Sequence, residues 1–247
     1  MRILTLGMLI AALPLTACHG HGFGADSTPG IKGSGSGDAR SYQVADFTGV
    51  DLRGSDDVTV TTGAGFAVRA EGPSAELDRL KITRVGDTLR IGRINDGGFH
   101  WNSGNHPVKV FVTLPRLAAA SIAGSGDMSV DKVEGATFTA STAGSGNLDI
   151  AAVAVDSVDL SIAGSGDMRL KGVAKQLRID IAGSGGVEAG GLKAQGAKVS
   201  IAGSGNARAD VTGPASVSVM GSGDVDLGAG AKCSTSKMGS GEVHCGS

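Results

Sequence analysis

Aromatic side chains are scarce in this chain: one Trp, one Tyr and six Phe among 247 residues. Large rings dominate the energetics of most globular interiors, each burying about 150–250 Å2. Their scarcity excludes a wide core wedged by rings and calls for a narrow interior lined by small and medium aliphatic groups. Cysteine is rarer still, with three, which excludes a disulfide-dense scaffold. No CxxC spacing supports a zinc or redox centre. Neither sign of charge is in excess: 22 basic against 24 acidic residues give a net charge of −2. A polybasic surface for nucleic acid or anionic lipid is thereby excluded. The apolar stretch Ile3–Leu13 falls short of the roughly 20 residues that a spanning helix needs.

Glycine is what the chain has in plenty, 42 residues of it. Seven Gly-Ser-Gly turns begin at Gly124, Gly144, Gly164, Gly183, Gly203, Gly221 and Gly239, in steps of 20, 20, 19, 20, 18 and 18 residues. Such a period signals one supersecondary unit repeated and stacked. A disordered glycine linker would have no register, whereas here the residues between the turns keep theirs. Two before each turn stand Ile122, Thr142, Ile162, Ile181, Ile201, Val219 and Lys237; six before stand Ala118, Phe138, Val158, Leu177, Ala197, Ala215 and Cys233. The fourth position after each turn's first glycine holds Met128, Leu148, Met168, Val187, Ala207, Val225 and Val243. Apolar residues at every second position give the period of a strand, with one face buried. Between them, Ser121, Ser141, Ser161, Asp180, Ser200, Ser218 and Ser236 form a ladder that faces out.

Two architectures accept this alternation, a β-solenoid and an antiparallel sandwich or barrel. Sandwich turns vary in length and chemistry, so identical turns at fixed spacing favour identical stacked corners. The expected fold is all-β: a single-stranded β-solenoid (parallel β-helix) of 18–20 residues per coil, right-handed as parallel crossovers generally are. Glycine supplies the positive φ of a sharp corner. The residues closing the turns are Asp127, Asn147, Asp167, Gly186, Asn206, Asp224 and Glu242. The first reading of this column is local capping of backbone amides. The second is calcium bound by Asp127, Asp167, Asp224 and Glu242, as Gly- and Asp-rich solenoid turns do elsewhere. Neutral residues interrupt the acids, which favours capping, and no cofactor is expected.

The N-terminus points to export. Met1-Arg2 and the apolar stretch lead to Leu15-Thr16-Ala17-Cys18, which resembles a bacterial lipobox. That implies a signal peptide over 1–17, cleavage before Cys18 and lipidation of its thiol and new amino group. Acyl chains worth about 0.8 kcal/mol per buried methylene would then anchor the protein. His19 in place of Asp after the cysteine points to the outer membrane, by analogy with lipoprotein sorting in enteric bacteria. Residues 18–40 follow as a Gly-rich tether of about 25 Å root-mean-square span. His19 and His21 within it make a weak metal site at most.

Cys233 and Cys245 lie six residues either side of the last turn, both on inward columns. In an oxidising envelope they are expected to pair, closing a short loop worth about 2–3 kcal/mol. Their coil carries Thr235 and Lys237 at inward positions, as suits an end coil.

Residues 41–117 are less regular than 118–247, and together they make one domain. Alternation at Val58, Val60, Val68, Ala70, Leu89, Ile91, Val108, Val110 and Val112 predicts strands, taken as the first coils and their cap. Gly54-Ser55-Asp56-Asp57 looks like a degenerate turn, and Pro73-Ser74 predicts a short helix capped by Ser74. The loop Asn95–Pro107 carries Phe99, His100, Trp101 and His106. Such a loop either folds back over the scaffold end or stacks on a sugar or a protein partner.

Tyr42–Phe47 leading to Gly49-Val50-Asp51, Asp57–Val60, Val110–Leu117 with its Leu-Pro pair, and the repeated Ala-Gly-Ser-Gly-Asp resemble the auto-transporter adhesin head GIN domain family, a DUF2807-type domain, over roughly 40–245. The resemblance implies a β-helical fold on the bacterial envelope and a role in adhesion or surface structure; it supplies no catalytic residues. Nothing after Gly239 could build a translocating barrel, so the anchor would be Cys18. The expected function is a non-catalytic, lipid-anchored rod serving as adhesin or envelope scaffold, with the membrane and a surface polysaccharide or protein as partners. The alternative is a carbohydrate-binding or carbohydrate-active β-helix, for which convergent carboxylates are missing.

Overall fold

A computed structural model describes residues 29–94 and 108–246. The first part contains β1 (Ala39–Tyr42), β2 (Gly49–Gly54), β3 (Asp57–Thr62), β4 (Ala67–Glu71), helix α1 (Ser74–Leu77), β5 (Leu80–Val85), β6 (Thr88–Arg93) and β7 (Lys109–Leu114). The regular part contains β8 (Ala119–Gly124), β9 (Met128–Val130), β10 (Val133–Gly144), β11 (Leu148–Gly164), β12 (Met168–Gly183) and β13 (Val187–Gly203). It ends with β14 (Ala207–Val211), β15 (Pro214–Gly221), β16 (Val225–Asp226), β17 (Lys232–Met238) and β18 (Val243–His244).

The protein is a β-solenoid. Equivalent residues of successive coils pair in parallel and in register: Ile122 with Thr142, Thr142 with Ile162, Ile162 with Ile181, Ile181 with Ile201 and Ile201 with Val219. The glycine corners lie over one another, Gly124 beside Gly144, then Gly164, Gly183, Gly203 and Gly221. Inward columns fill the bore: Phe138, Val158, Ile179, Met128, Leu148 and Met168 are almost fully buried. The outward serines form the expected ladder, in which Ser141 Oγ donates to Ser121 Oγ at 3.0 Å. Thr142 brings a hydroxyl into the bore, and its Oγ1 is buried without a hydrogen-bond partner among the described residues.

Both glycines of each corner are required, for different reasons. The first has positive φ, +126° at Gly144 and +136° at Gly164, where a Cβ is strained. The third is held by stacking. A Cβ on Gly146 would lie 2.2 Å from the Gly126 carbonyl oxygen and 2.8 Å from Ile122 Cγ2. The coils approach too closely at this corner for any side chain but hydrogen.

Residues 41–117 are not coils stacked in chain order. β2 pairs in parallel with β8 on one side and β6 on the other; β3 does the same with β9 and β7. The stack therefore runs β6/β7, β2/β3, β8/β9, with the later segment outermost. Its outer edge is covered by antiparallel strands, β5 on β6 and β4 on β7, with β1 on β4. The antiparallel cover has its physical reason in the edge itself: an open row of amides is a template for aggregation unless something pairs with it. The helix is real, but Ser74 is its first residue and makes no capping bond; Pro73 occupies the cap position, having no N–H to leave unpaired.

Candidate functional site

The corner column caps backbone amides, but those of the neighbouring coil and not, as local capping would have it, those of its own turn. Asp127 Oδ1 accepts from Asn147 N–H at 2.9 Å, Asn147 Oδ1 from Asp167 N–H at 3.1 Å, and Asp167 Oδ1 from Gly186 N–H at 2.8 Å. Asn206 and Asp224 serve Asp224 and Glu242 in the same way. Each side chain satisfies the amide of the next coil rather than its own turn, so the column fastens coil to coil. Gly186 breaks it. Among the described residues, no group of three or more His, Cys, Asp or Glu is placed to hold a metal ion.

Two residues further on, an outward column alternates in sign. Asp149, Arg169, Glu188, Arg208, Asp226 and His244 are in-register partners in successive coils. Arg169 lies 3.7 Å from Asp149; Arg208 lies 4.0 Å from Glu188 and 3.4 Å from Asp226. These side chains are about half exposed, so each pair contributes at most about 1 kcal/mol. Their order avoids a stack of like charges at strand spacing. The two columns border a shallow groove of about 560 Å3, opened by the missing side chain of Gly186 and flanked by Arg169, Glu188, Arg208 and Asp226. An open, polar, charged trough of this kind suits an extended polymer better than an enclosed small molecule.

A second polar centre lies where β6 leaves the stack. Asp56 occupies the third corner position, where every later corner has glycine, and is fully buried. It accepts from Arg93 Nε at 2.8 Å and from Val108 N–H at 3.0 Å. Arg93 also pairs with Glu76 of α1. The hydrogen bond to Asp56, with a further one to Glu76, raises the Arg93 pKa above its ordinary value, against the opposing effect of burial. Asp56 thus ties together the two strands joined through residues 95–107. Phe99, His100, Trp101 and His106 lie outside the described residues, as does Cys18. The sequence signal for Asp56 is an acid where the repeat has glycine: among the described residues, Arg93 and Val108 meet it there rather than another glycine corner.

At the far end Cys233 and Cys245 form a disulfide, Cα–Cα 6.2 Å. It joins the start of β17 to the end of β18. Lys237 Nζ donates to the Gly241 carbonyl at 2.8 Å over the last corner, and Thr235 and Lys237 are exposed at this end of the stack.

The profile of the family described as "Putative auto-transporter adhesin, head GIN domain" (DUF2807) matches residues 46–231. Among solved structures, a putative adhesin from Bacteroides fragilis is 24% identical with a TM-score of 0.78, over 87% of this chain and 100% of its own. A putative lipid binding protein from Parabacteroides distasonis is 23% identical, TM-score 0.68, over 86% and 98%. A putative adhesin from the same species is 20% identical, TM-score 0.68, over 87% and 99%. Identities this low carry the fold alone. No curated protein matches the chain. Among the described residues no helix is long and apolar enough to cross a membrane. With the match spanning the cap and all but the last coil, the chain belongs to the adhesin head GIN domain (DUF2807) family.

Proposed function

We propose that this is a non-catalytic, lipid-anchored protein of the bacterial cell envelope that presents its solenoid as an adhesive or scaffolding rod. The reading rests above all on the charge-alternating column beside the corners, which borders a polar trough over the coils from Asp167 to His244. Seven steps separate the corner at Gly54 from that at Gly239, giving about 34 Å at strand spacing. The family supports a cell-envelope or surface protein and an adhesin. Cys18 and its preceding residues support the anchor, with the outer membrane as its place. One structural relative is named a lipid binding protein; in this chain close-packed side chains fill the bore, so the lipid belongs at Cys18. A polysaccharide or protein on another surface is the ligand class that fits an open charged trough.

Labelling with radioactive palmitate, followed by membrane fractionation, tests the anchor: the native chain takes up label and C18S does not. Adhesion is tested with beads carrying the purified protein on envelope polysaccharides and intact cells. Binding that weakens when Arg169 and Arg208 are both changed to Ser supports the trough. Turnover of any polysaccharide would replace this reading with the carbohydrate-active one.

A further inference from the structure

The outward position immediately before each corner is alanine in five successive coils: Ala123, Ala143, Ala163, Ala182 and Ala202. In the next two it is methionine. Met220 and Met238 are direct in-register partners on β15 and β17. They are 61% and 70% exposed, whereas Met128 and Met168 in the bore are fully buried. Alanine meets the steric demands of this column in the other coils. The switch to two methionines instead sets a pair of exposed thioethers side by side at the end of the stack.

We propose that Met220 and Met238 form a surface site for a soft monovalent cation, Cu(I) or its analogue Ag(I). Thioethers select soft cations over Mg, Ca or Zn, which prefer oxygen, imidazole or thiolate. Parallel register sets the two strands about 4.8 Å apart with both side chains on one face, so one ion can bridge two sulfurs. The surroundings suit a singly charged ion with no hard competitor. The columns to either side carry hydroxyls, Ser218 and Ser236 on one, Ser222 and Ser240 on the other, with Ser240 Oγ donating to Ser222 Oγ at 3.1 Å. The nearby ammonium of Lys237 is turned to the Gly241 carbonyl. Cys233 and Cys245 are bonded to each other and offer no thiolate.

The test is a titration of the full chain carrying C18S, which removes the one unpaired thiol, selectively 13C-labelled at methionine methyls, with chloride-free Ag(I), repeated anaerobically with Cu(I). The expected result is that the Met220 and Met238 methyl signals shift together and saturate at one equivalent, while Met128 and Met168 stay put. Because two linked donors gain about 100-fold or more over one, M220L and M238L should each raise the midpoint by about that factor. Leucine keeps the apolar volume, so folding is not at stake. Independent titration of the two methyls, failure to saturate, or variants that keep the midpoint within about twofold would overturn the proposal.

Discussion

The two ends of the rod solve the same problem by opposite means. At the β6/β7 end the outermost coil is covered by antiparallel strands, a short helix and a buried Asp56–Arg93–Glu76 network. At the β17/β18 end, the last described coil is braced by one disulfide and by Lys237 bonded over the last corner to the Gly241 carbonyl. The first solution uses about seventy residues of irregular sequence; the second needs a few polar substitutions within the repeat. Between them the coils stay uniform because each corner copies the one below. The contrast separates what a glycine corner needs for its own bend from what its neighbour imposes.

Corner glycines break the comparison most sharply. Gly54 and Gly144 have nearly the same φ, +128° and +126°. A Cβ on Gly54 meets nothing within 4 Å, but one on Gly144 lies 2.3 Å from the Gly124 carbonyl oxygen. G54A should cost about 1–2 kcal/mol from backbone strain alone. G144A adds overpacking against main chain and should cost about 4 kcal/mol or more, measured by urea unfolding. Equal losses would mean that the bend, not the stacking, requires glycine. Next in size, D56A removes the buried partner of Arg93 and should cost about 3 kcal/mol. Its damage should map to β6, β7 and α1 by hydrogen exchange, leaving β12 and β13 protected. C233S with C245S should cost about 2–3 kcal/mol, with loss of protection confined to β17 and β18.

T142V is the case expected to stabilise. It replaces an unpartnered buried hydroxyl by a methyl between Ile122 and Ile162 in the stack and should add about 1 kcal/mol. The smallest effect concerns Tyr42 in the cap, whose phenol pKa is raised chiefly by burial and further by Asp78, with Arg40 opposing. The folded state therefore holds this proton more tightly than the unfolded one. Stability from Tyr42 is constant below about pH 10 and falls as pH climbs through the raised value; Y42F should flatten that decline in an alkaline melting series.

Much of the solenoid was legible because repetition makes each coil a check on the next. Ile162 and Ile181 face inward for the same reason, and the eye can compare them. The corner acids were legible as caps, yet their reach to the following coil was not, since turn chemistry is usually local. The need for glycine at the third corner position, Gly146, does not follow from bending; only close stacking excludes a side chain there. The first coils were least legible. Strands β2 and β6 start 39 residues apart and pair out of chain order, so no fixed period links them. Asp56 departs visibly from the glycine of the repeat, but nothing in the period names Arg93 and Val108 as its partners. The trough beside Gly186 emerges only when Arg169 and Arg208 are set on stacked coils.

The account stands on corners piled along one axis, and spin-label distances measure that directly. Nitroxides are placed on exposed corner serines in a C18S background, pairing Ser125 in turn with Ser184, Ser204 and Ser222. Their mean separations should grow in equal steps, from about 14 to about 19 to about 24 Å. Distances that alternate between short and long, as they would if successive corners sat at opposite ends of a meander, would contradict it.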